Sequence, residues 1–325
     1  MIFYLLAVVL GFALLVWSAD RFVDGAASTA KHLGMPSLLI GILIVGFGTS
    51  APEMVVSAIA AYEGNPALAL GNAIGSNIVN IALILGVTAI VSPIMVNSKI
   101  VKKEIPLILL IVLLTGYLLL DNSLTLFEGV ILLVGFFALV LWSVYTALKS
   151  RGDSLESEMD IELKEHSMSL KLGVIWLIFG LILLIVSSRI LVWGAVGVAV
   201  EFGVSDLIIG LTIVALGTSL PELAASVIAA RKGEHDIAIG NVVGSNMFNL
   251  LAVIGIAVVI APMNNIPLEV LQRDWIIMLL LTIALFVMAY GFKGRDGRIN
   301  KVEGTILILC YIAYNTYLGM SLVNS

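Results

Sequence analysis

Charged residues are scarce in this sequence. Only 12% of its 325 residues are Asp, Glu, Lys or Arg, while 60% are hydrophobic. Soluble domains carry roughly 25% charged residues, so most of this chain has no water to face. A single cysteine, Cys310, excludes an internal disulfide. The net charge of −5 argues against a nucleic-acid partner.

Signals for secretion and for enzyme chemistry are also missing. No Lys or Arg precedes the first apolar stretch, residues 1–19, so we expect a retained helix there and not a signal peptide. The sequence has no G-x-S-x-G serine, no H-E-x-x-H and no paired aspartates in neighbouring apolar segments. These gaps disfavour an intramembrane enzyme.

Ten apolar segments are long enough to cross a membrane. A span needs about 20 mostly apolar residues, and it must be helical because lipid offers the backbone no hydrogen-bond partners. The prediction is an all-α polytopic membrane protein in a lipid bilayer, with ten transmembrane helices and no need of an oligomer, so that a monomer suffices. The predicted spans are residues 2–19, 37–61, 67–91, 104–120, 125–148, 171–188, 205–230, 236–261, 274–292 and 303–322.

Basic residues are distributed unevenly over the predicted loops. Of the 17 Lys and Arg residues, only Arg189 and Arg273 fall on the side of the termini. Loops rich in Lys and Arg stay in the cytoplasm, so both termini are predicted to lie outside it. The longest connection, residues 150–169, is acidic and lacks the D-x-[DN]-x-[DN]-G pattern of a calcium loop. We expect it to be a solvated cytoplasmic linker.

Two motifs occur twice at a constant spacing of 169 residues. G-T-S-x-P-E lies within residues 41–57 and again within 210–226, and G-N-x-x-G-S-N-x-x-N lies within 69–80 and again within 238–249. The repeat predicts two halves of five helices each, residues 1–149 and 170–325, joined by the linker at 150–169. Because five is odd, the halves enter the membrane from opposite sides. Inverted repeats of this kind are a transporter architecture with a site near the midplane, and they suit alternating access.

Two glutamates lie near the middle of predicted spans. Glu53 lies within residues 37–61 and Glu222 within 205–230, with no Lys, Arg or His at that depth. A charge at bilayer depth costs several kcal/mol unless it is compensated. Two carboxylates that face one interface also repel each other. The pair therefore needs a proton or a metal cation.

Oxygen donors accompany both glutamates, and no sulfur or imidazole joins them. Such hard ligands select sodium, calcium or magnesium over zinc or copper. Calcium accepts six to eight oxygens in flexible geometry, whereas magnesium keeps its waters and demands a strict octahedron, so two carboxylates favour calcium. The donors are Thr49, Ser50, Ser57, Thr218, Ser219 and Ser226 beside the glutamates, and Asn72, Ser76, Asn77, Asn80, Asn241, Ser245, Asn246 and Asn249 in the following spans.

A proline before each glutamate interrupts the hydrogen bonding of its helix. Pro52 and Pro221 have no N–H, which frees the carbonyl four residues earlier, at Gly48 and Gly217. Unwound carbonyls at membrane depth are tolerated where they line a cavity, and there they coordinate cations. The backbone oxygens of the threonines in the two G-T-S triplets are therefore further candidate ligands.

At these residues the chain resembles the calcium/cation antiporter superfamily, in its small prokaryotic sodium/calcium exchanger branch. The resemblance covers the ten predicted spans, both pairs of motifs and the linker. It implies a secondary active transporter that exchanges calcium for sodium and exports calcium by using sodium entry. It also implies a prokaryotic cell (inner) membrane and no cofactor beyond the transported calcium and sodium ions.

The resemblance further implies roles for single residues. The neutral side chain of Asn249 departs from relatives that carry Asp there, which disfavours potassium dependence. Glu53 and Glu222 would be the central calcium ligands, together with the backbone oxygens of Thr49 and Thr218. Sodium sites would draw on Ser50, Ser219, Ser76, Ser245, Asn80, Asn249 and the carbonyl of Ala215.

Two other transport classes are compatible with the residues. Paired buried carboxylates could carry protons, so calcium/proton exchange is the main alternative. A passive cation channel is a second. A sodium gradient at fixed pH, a pH gradient without sodium, and unitary currents in a planar bilayer would separate these classes.

Overall fold

The structure is a computed structural model that describes residues 1–96, 100–150, 168–202, 215–290 and 297–323. Two three-residue strands, β1 (Ile94–Val96) and β2 (Gly297–Ile299), accompany the helices in these residues. The helices are α1 (Ile2–Leu33), α2 (Ser37–Thr49), α3 (Ala51–Tyr62), α4 (Pro66–Val91), α5 (Ile105–Leu118), α6 (Leu126–Ser150), α7 (Leu170–Glu201), α8 (Ala215–Thr218), α9 (Leu220–Arg231), α10 (His235–Ile260), α11 (Val270–Ala289) and α12 (Lys301–Val323).

Long apolar helices dominate the described residues. Six of these helices (α1, α4, α6, α7, α10 and α11) are long and apolar enough to cross a membrane, and α2 with α3, bent by 42°, makes a seventh. Each of the ten predicted spans overlaps a helix, and the all-helical membrane fold is confirmed. Ten crossings stay a prediction. Residues 151–167 of the predicted linker, 205–214 of the seventh span and 291–292 of the ninth lie outside the described residues.

Two helices extend well beyond their predicted spans. The apolar cores at 2–19 and 171–188 belong to α1 and α7, each of 32 residues and therefore about 48 Å long. The first core ends at Asp20 because a charge is costly in hydrocarbon. The helix nevertheless continues, since Asp20 and Asp24 both form ion pairs with Lys232.

The described helices form two compact units. Unit 1 comprises Met1–Val55 and Val134–Gly244, and unit 2 comprises Val56–Leu133 and Ser245–Ser325. Each unit therefore contains segments from both halves of the sequence. The predicted division into residues 1–149, 150–169 and 170–325 follows the sequence repeat and stays a prediction.

In unit 1, α1 and α7 pack closely and run antiparallel. Gly11 of α1 lies against Leu191, and Gly25 lies against Leu177. A Cβ atom at Gly25 would lie 2.4 Å from the backbone nitrogen of Leu177. Only glycine permits so close an approach of two backbones.

In unit 2, small residues also set helix crossings. A Cβ atom at Gly86 of α4 would lie 2.9 Å from the carbonyl oxygen of Gly304 in α12. Trp275 of α11 covers Gly116 of α5, and its indole N–H donates to the carbonyl of Val112 at 2.9 Å. The strands β1 and β2 pair antiparallel.

Candidate cation-binding site

Both predicted glutamates are buried in unit 1. Glu53 is 1% exposed and Glu222 is 2% exposed. They lie in the first turns of α3 and α9, where the positive end of the helix dipole favours a carboxylate. The two carboxylates are close enough to repel each other.

The helix breaks that the prolines predict lie directly before these turns. Ser50 separates α2 from α3 with φ −83° and ψ −1°, and Ser219 separates α8 from α9 with φ −93° and ψ 6°. Both residues occupy the sparsely populated bridge region of backbone conformation. The two motifs therefore adopt matching local structures. At the second break, the Ser188 hydroxyl of α7 donates to the carbonyl oxygen of Gly217 at 2.9 Å.

The hydroxyl groups of each G-T-S triplet approach the glutamate of the other motif. Ser50 donates from its Oγ to Oε1 of Glu222 at 3.2 Å, with the Thr49 side chain nearby. In the matching arrangement, the side chains of Thr218 and Ser219 lie near the carboxylate of Glu53. Hydroxyl side chains predicted from sequence are thereby assembled around one carboxylate pair.

Several oxygens in this pair of carboxylates have no hydrogen-bond donor. Among the described residues, no donor reaches either Oε atom of Glu53, Oε2 of Glu222 or Oγ of Ser219 at hydrogen-bonding distance and angle, although the Thr218 and Ser219 side chains lie near enough to Glu53 to stabilise its charge. No described Lys or Arg pairs with either glutamate. A buried carboxylate without a hydrogen-bond donor or a basic partner lowers the stability of the folded protein by several kcal/mol. Bare, closely spaced oxygens with two negative charges fit a hard cation such as calcium or sodium.

The other predicted ligands separate into two groups. Ala215 is the first residue of α8 in unit 1, and Thr218 in the same helix is half-buried. Ser76, Asn80, Ser245 and Asn249 lie in unit 2, where all four are at most 6% exposed.

In unit 2, four asparagines bond to one another in a reciprocal pattern. Asn80 donates through Nδ2 to Oδ1 of Asn246 at 2.9 Å, and Asn249 donates through Nδ2 to Oδ1 of Asn77 at 3.2 Å. These bonds leave Oδ1 of Asn80 and Oδ1 of Asn249 without a donor among the described residues. Asn80 and Asn249 lie in π-helical turns, which often mark functional sites. The two free amide oxygens can accept a cation.

Asn241 is one of the predicted oxygen donors, but the resemblance assigns it no ligand role. It is fully buried, and its Nδ2 donates to the carbonyl oxygen of Glu222 at 3.1 Å and to Oγ of Ser226 at 2.8 Å. Its Oδ1 accepts from the hydroxyl of Thr49 at 3.1 Å. The sequence signal was its place in a polar stripe, in which Asn241, Ser245 and Asn249 follow one another at intervals of four residues. The stripe does not reveal that this side chain contacts both G-T-S-x-P-E motifs.

Apolar helices around buried carboxylates that lack basic partners characterise an integral membrane protein that handles cations. The chain belongs to the sodium/calcium exchanger protein family, whose model matches residues 3–145 and 172–320. Its relatives are transporters and not enzymes.

Two relatives and one solved structure illustrate the membership. The chain is 48% identical to the putative antiporter CaxA of Alkalimonas amylolytica, over 97% of this chain and 98% of that protein. It is 39% identical to the inner membrane protein YrbG of Escherichia coli (strain K12), over 89% and 90%. A structure of the sodium-calcium exchanger NCX_Mj, soaked with zero Na+ and Ca2+, superimposes with a TM-score of 0.82. It shares 30% identity and covers 98% of this chain and 99% of that one.

Proposed function

We propose that the protein exchanges calcium for sodium across the membrane. The observation that carries this proposal is the buried pair Glu53 and Glu222, whose oxygens are largely without hydrogen-bond donors and without a basic partner among the described residues. One calcium ion balances both charges, and several sodium ions can balance them as well. Family membership and the likeness to NCX_Mj support the same pair of ions.

Calcium binds to the glutamates in this proposal. Two bidentate carboxylates supply four oxygens, and the backbone oxygens of Thr49 and Thr218 with water complete a shell of six to eight. Sodium ions use neutral oxygens as well as the glutamates. The sodium ligands we propose are Ser50, Ser219, Ser76, Ser245, Asn80, Asn249 and the carbonyl of Ala215.

The proposed architecture is two inverted five-helix repeats, residues 1–149 and 170–325, with ten crossings and alternating access. Contacts between residues separated by the repeat spacing support it. The hydroxyls of Ser18 and Ser187 are 3.5 Å apart, and Asn77 donates to the carbonyl of Asn246. Reciprocal contacts of this kind are expected about a two-fold axis.

The direction of exchange follows from the two ion gradients. Sodium entry drives calcium out of the cytoplasm, the membrane is the prokaryotic cell (inner) membrane, and both termini lie outside the cytoplasm. The imbalance of Lys and Arg between predicted loops supports this orientation. Nothing in this cycle needs a second copy of the chain.

Exchange without leak follows from the charge of the empty site. An ion-free site carries two uncompensated carboxylates, so the empty protein converts slowly between its outward-open and inward-open states. Only the ion-loaded forms of the protein then convert readily between these two states. Calcium efflux from loaded vesicles should therefore be slow when the opposite side holds no exchangeable cation. Equally fast efflux into a cation-free medium would contradict this coupling.

Calcium uptake into vesicles tests the exchange directly. The purified protein is reconstituted, the vesicles are loaded with sodium, and uptake is measured at fixed pH and then under a pH gradient without sodium. We expect uptake only with internal sodium. Uptake driven by the pH gradient alone would assign calcium/proton exchange instead. Unitary currents in a planar bilayer would identify a channel.

A further inference from the structure

We propose that Asn241 is a positioning residue that holds Thr49 against Glu222 and thereby sets the calcium affinity of the carboxylate pair. The proposal rests on the proposed function, because it concerns the same calcium ligands. It assigns to Asn241 no direct contact with the ion. The residue acts through the segments that carry the ligands.

The orientation of the Asn241 amide follows from its neighbours. The backbone carbonyl of Glu222 can only accept a hydrogen bond, so the amide nitrogen of Asn241 must face it. The opposite orientation would bring two acceptors together at 3.1 Å. Oδ1 then faces the hydroxyl of Thr49 at 3.1 Å, and that hydroxyl divides its one hydrogen between Asn241 and the carbonyl of Val45 at 3.0 Å. The three contacts occupy both amide hydrogens and the amide oxygen.

These contacts join two segments that are distant in sequence but adjacent in unit 1. Thr49 belongs to the first G-T-S-x-P-E motif, and Glu222 belongs to the second. Ser50 ties the same segments by donating to the Glu222 carboxylate. A bound cation can compete for that carboxylate, whereas the bonds of Asn241 use the Glu222 backbone and remain available when an ion is bound.

Burial makes this link hard to replace. Asn241 and Thr49 are both 0% exposed, so water cannot substitute for a deleted amide. Without the amide, among the described residues only the hydroxyls of Ser50 and Thr49 beside the Glu222 carboxylate still link the Thr49 segment to Glu222, and a bound cation competes for that carboxylate. The separation of the ligands then becomes variable. A variable site binds calcium less tightly because binding must first order it.

Sodium-driven calcium uptake by Asn241→Leu, which keeps the side-chain volume, tests the proposal. We expect the KM for calcium to rise about tenfold or more, with kcat within about twofold of wild type. A higher KM with an unchanged kcat is expected when calcium binding is weakened and the transport step is not. The matched control is Asn315→Leu in α12, whose amide donates to the carbonyl of Tyr311 in the same helix. It should keep the wild-type KM.

Thr49→Val tests the same link from the other side. It removes the hydroxyl that donates to Asn241 but keeps the backbone oxygen proposed to bind calcium. We expect a raised KM, and a double variant no worse than the more severe single variant, since both changes break one link. If Asn241→Leu does not fold, Thr49→Val alone tests the positioning role of Asn241.

An unchanged KM in the folded Asn241→Leu protein, or a fall in kcat alone, would overturn the positioning role. Additive effects of the two changes would overturn it as well. Failure of the proposed function looks different. In that case the wild-type protein itself shows no sodium-driven uptake and no thermal stabilisation by calcium.

Discussion

At the scale of single residues, burial and charge conflict most strongly at Glu53 and Glu222. Both side chains are almost completely buried, and three of their four carboxylate oxygens have no donor among the described residues. A protein tolerates such a pair when a cation shares the site for part of its working cycle. Stability and ion binding are therefore coupled at these two positions.

Neutralising either glutamate separates its effect on ion binding from its effect on stability. We expect Glu53→Gln and Glu222→Gln to abolish sodium-driven calcium uptake, because one negative charge cannot balance a divalent cation. The same variants should melt at a higher temperature than wild type in a chelator, since removal of an uncompensated buried charge relieves on the order of several kcal/mol. Glu63→Gln, at an exposed position, is the control and should change neither quantity. Wild-type uptake by either buried variant would refute the ligand assignment.

Ser188 supplies a hydrogen bond that the backbone cannot make. Pro221 has no N–H to give to the carbonyl of Gly217, and Ser188 donates to that carbonyl instead. We expect Ser188→Ala to lower stability by about 1–3 kcal/mol, because a buried acceptor loses its partner. Thermal unfolding in detergent measures the effect. Ser187→Ala is the matched control: its hydroxyl donates to the carbonyl of Leu184 in its own helix, so a smaller loss is expected. Equal losses would show that the carbonyl of Gly217 needs no donor.

At the scale of helices, close contact between α1 and α7 depends on glycine. Gly25→Ala places a methyl group 2.4 Å from the backbone of Leu177, so the helices must move apart. We expect a loss of roughly 1–3 kcal/mol, the usual cost of overpacking. Gly319→Ala in α12 meets no described atom within 4 Å and should be neutral or stabilising by up to about 1 kcal/mol. A Gly25→Ala protein as stable as Gly319→Ala would contradict this packing.

Hydrophobicity located these helices better than it located their ends. The apolar cores at 2–19 and 171–188 stop where charged or polar residues begin, yet α1 and α7 continue to Leu33 and Glu201. A hydrophobic run reports where lipid can surround a helix. It does not report where other helices and ion pairs, such as Lys232 with Asp20, support its continuation.

At the scale of the whole molecule, orientation in the membrane is open to a direct test. We expect alkaline phosphatase fused after Ser325 to be active in Escherichia coli, because that enzyme matures only outside the cytoplasm. The same enzyme inserted in the linker at residues 150–169 should be inactive. The cause is the excess of Lys and Arg in the loops predicted to face the cytoplasm. The opposite pattern of activities would show that both termini lie in the cytoplasm, and it would contradict the proposed direction of transport.

The sequence by itself determined the membrane class, the repeated motifs and the two glutamates without basic partners. These features are local or compositional: lipid sets how many apolar residues a span needs, and a motif is visible wherever it recurs. They were sufficient to place the chain near the sodium/calcium exchangers. They also named the hydroxyl and amide residues that the structure buries in units 1 and 2.

Only the tertiary structure decided which of these groups contact one another. The bond from Ser50 to Glu222 and the link from Thr49 through Asn241 to the Glu222 backbone join residues more than 170 positions apart. The hydrogen bond to the carbonyl of Gly217 likewise comes from a different helix, through the hydroxyl of Ser188. Such contacts depend on how closely helices approach, and a spacing pattern along one helix carries no information about the helix that packs against it.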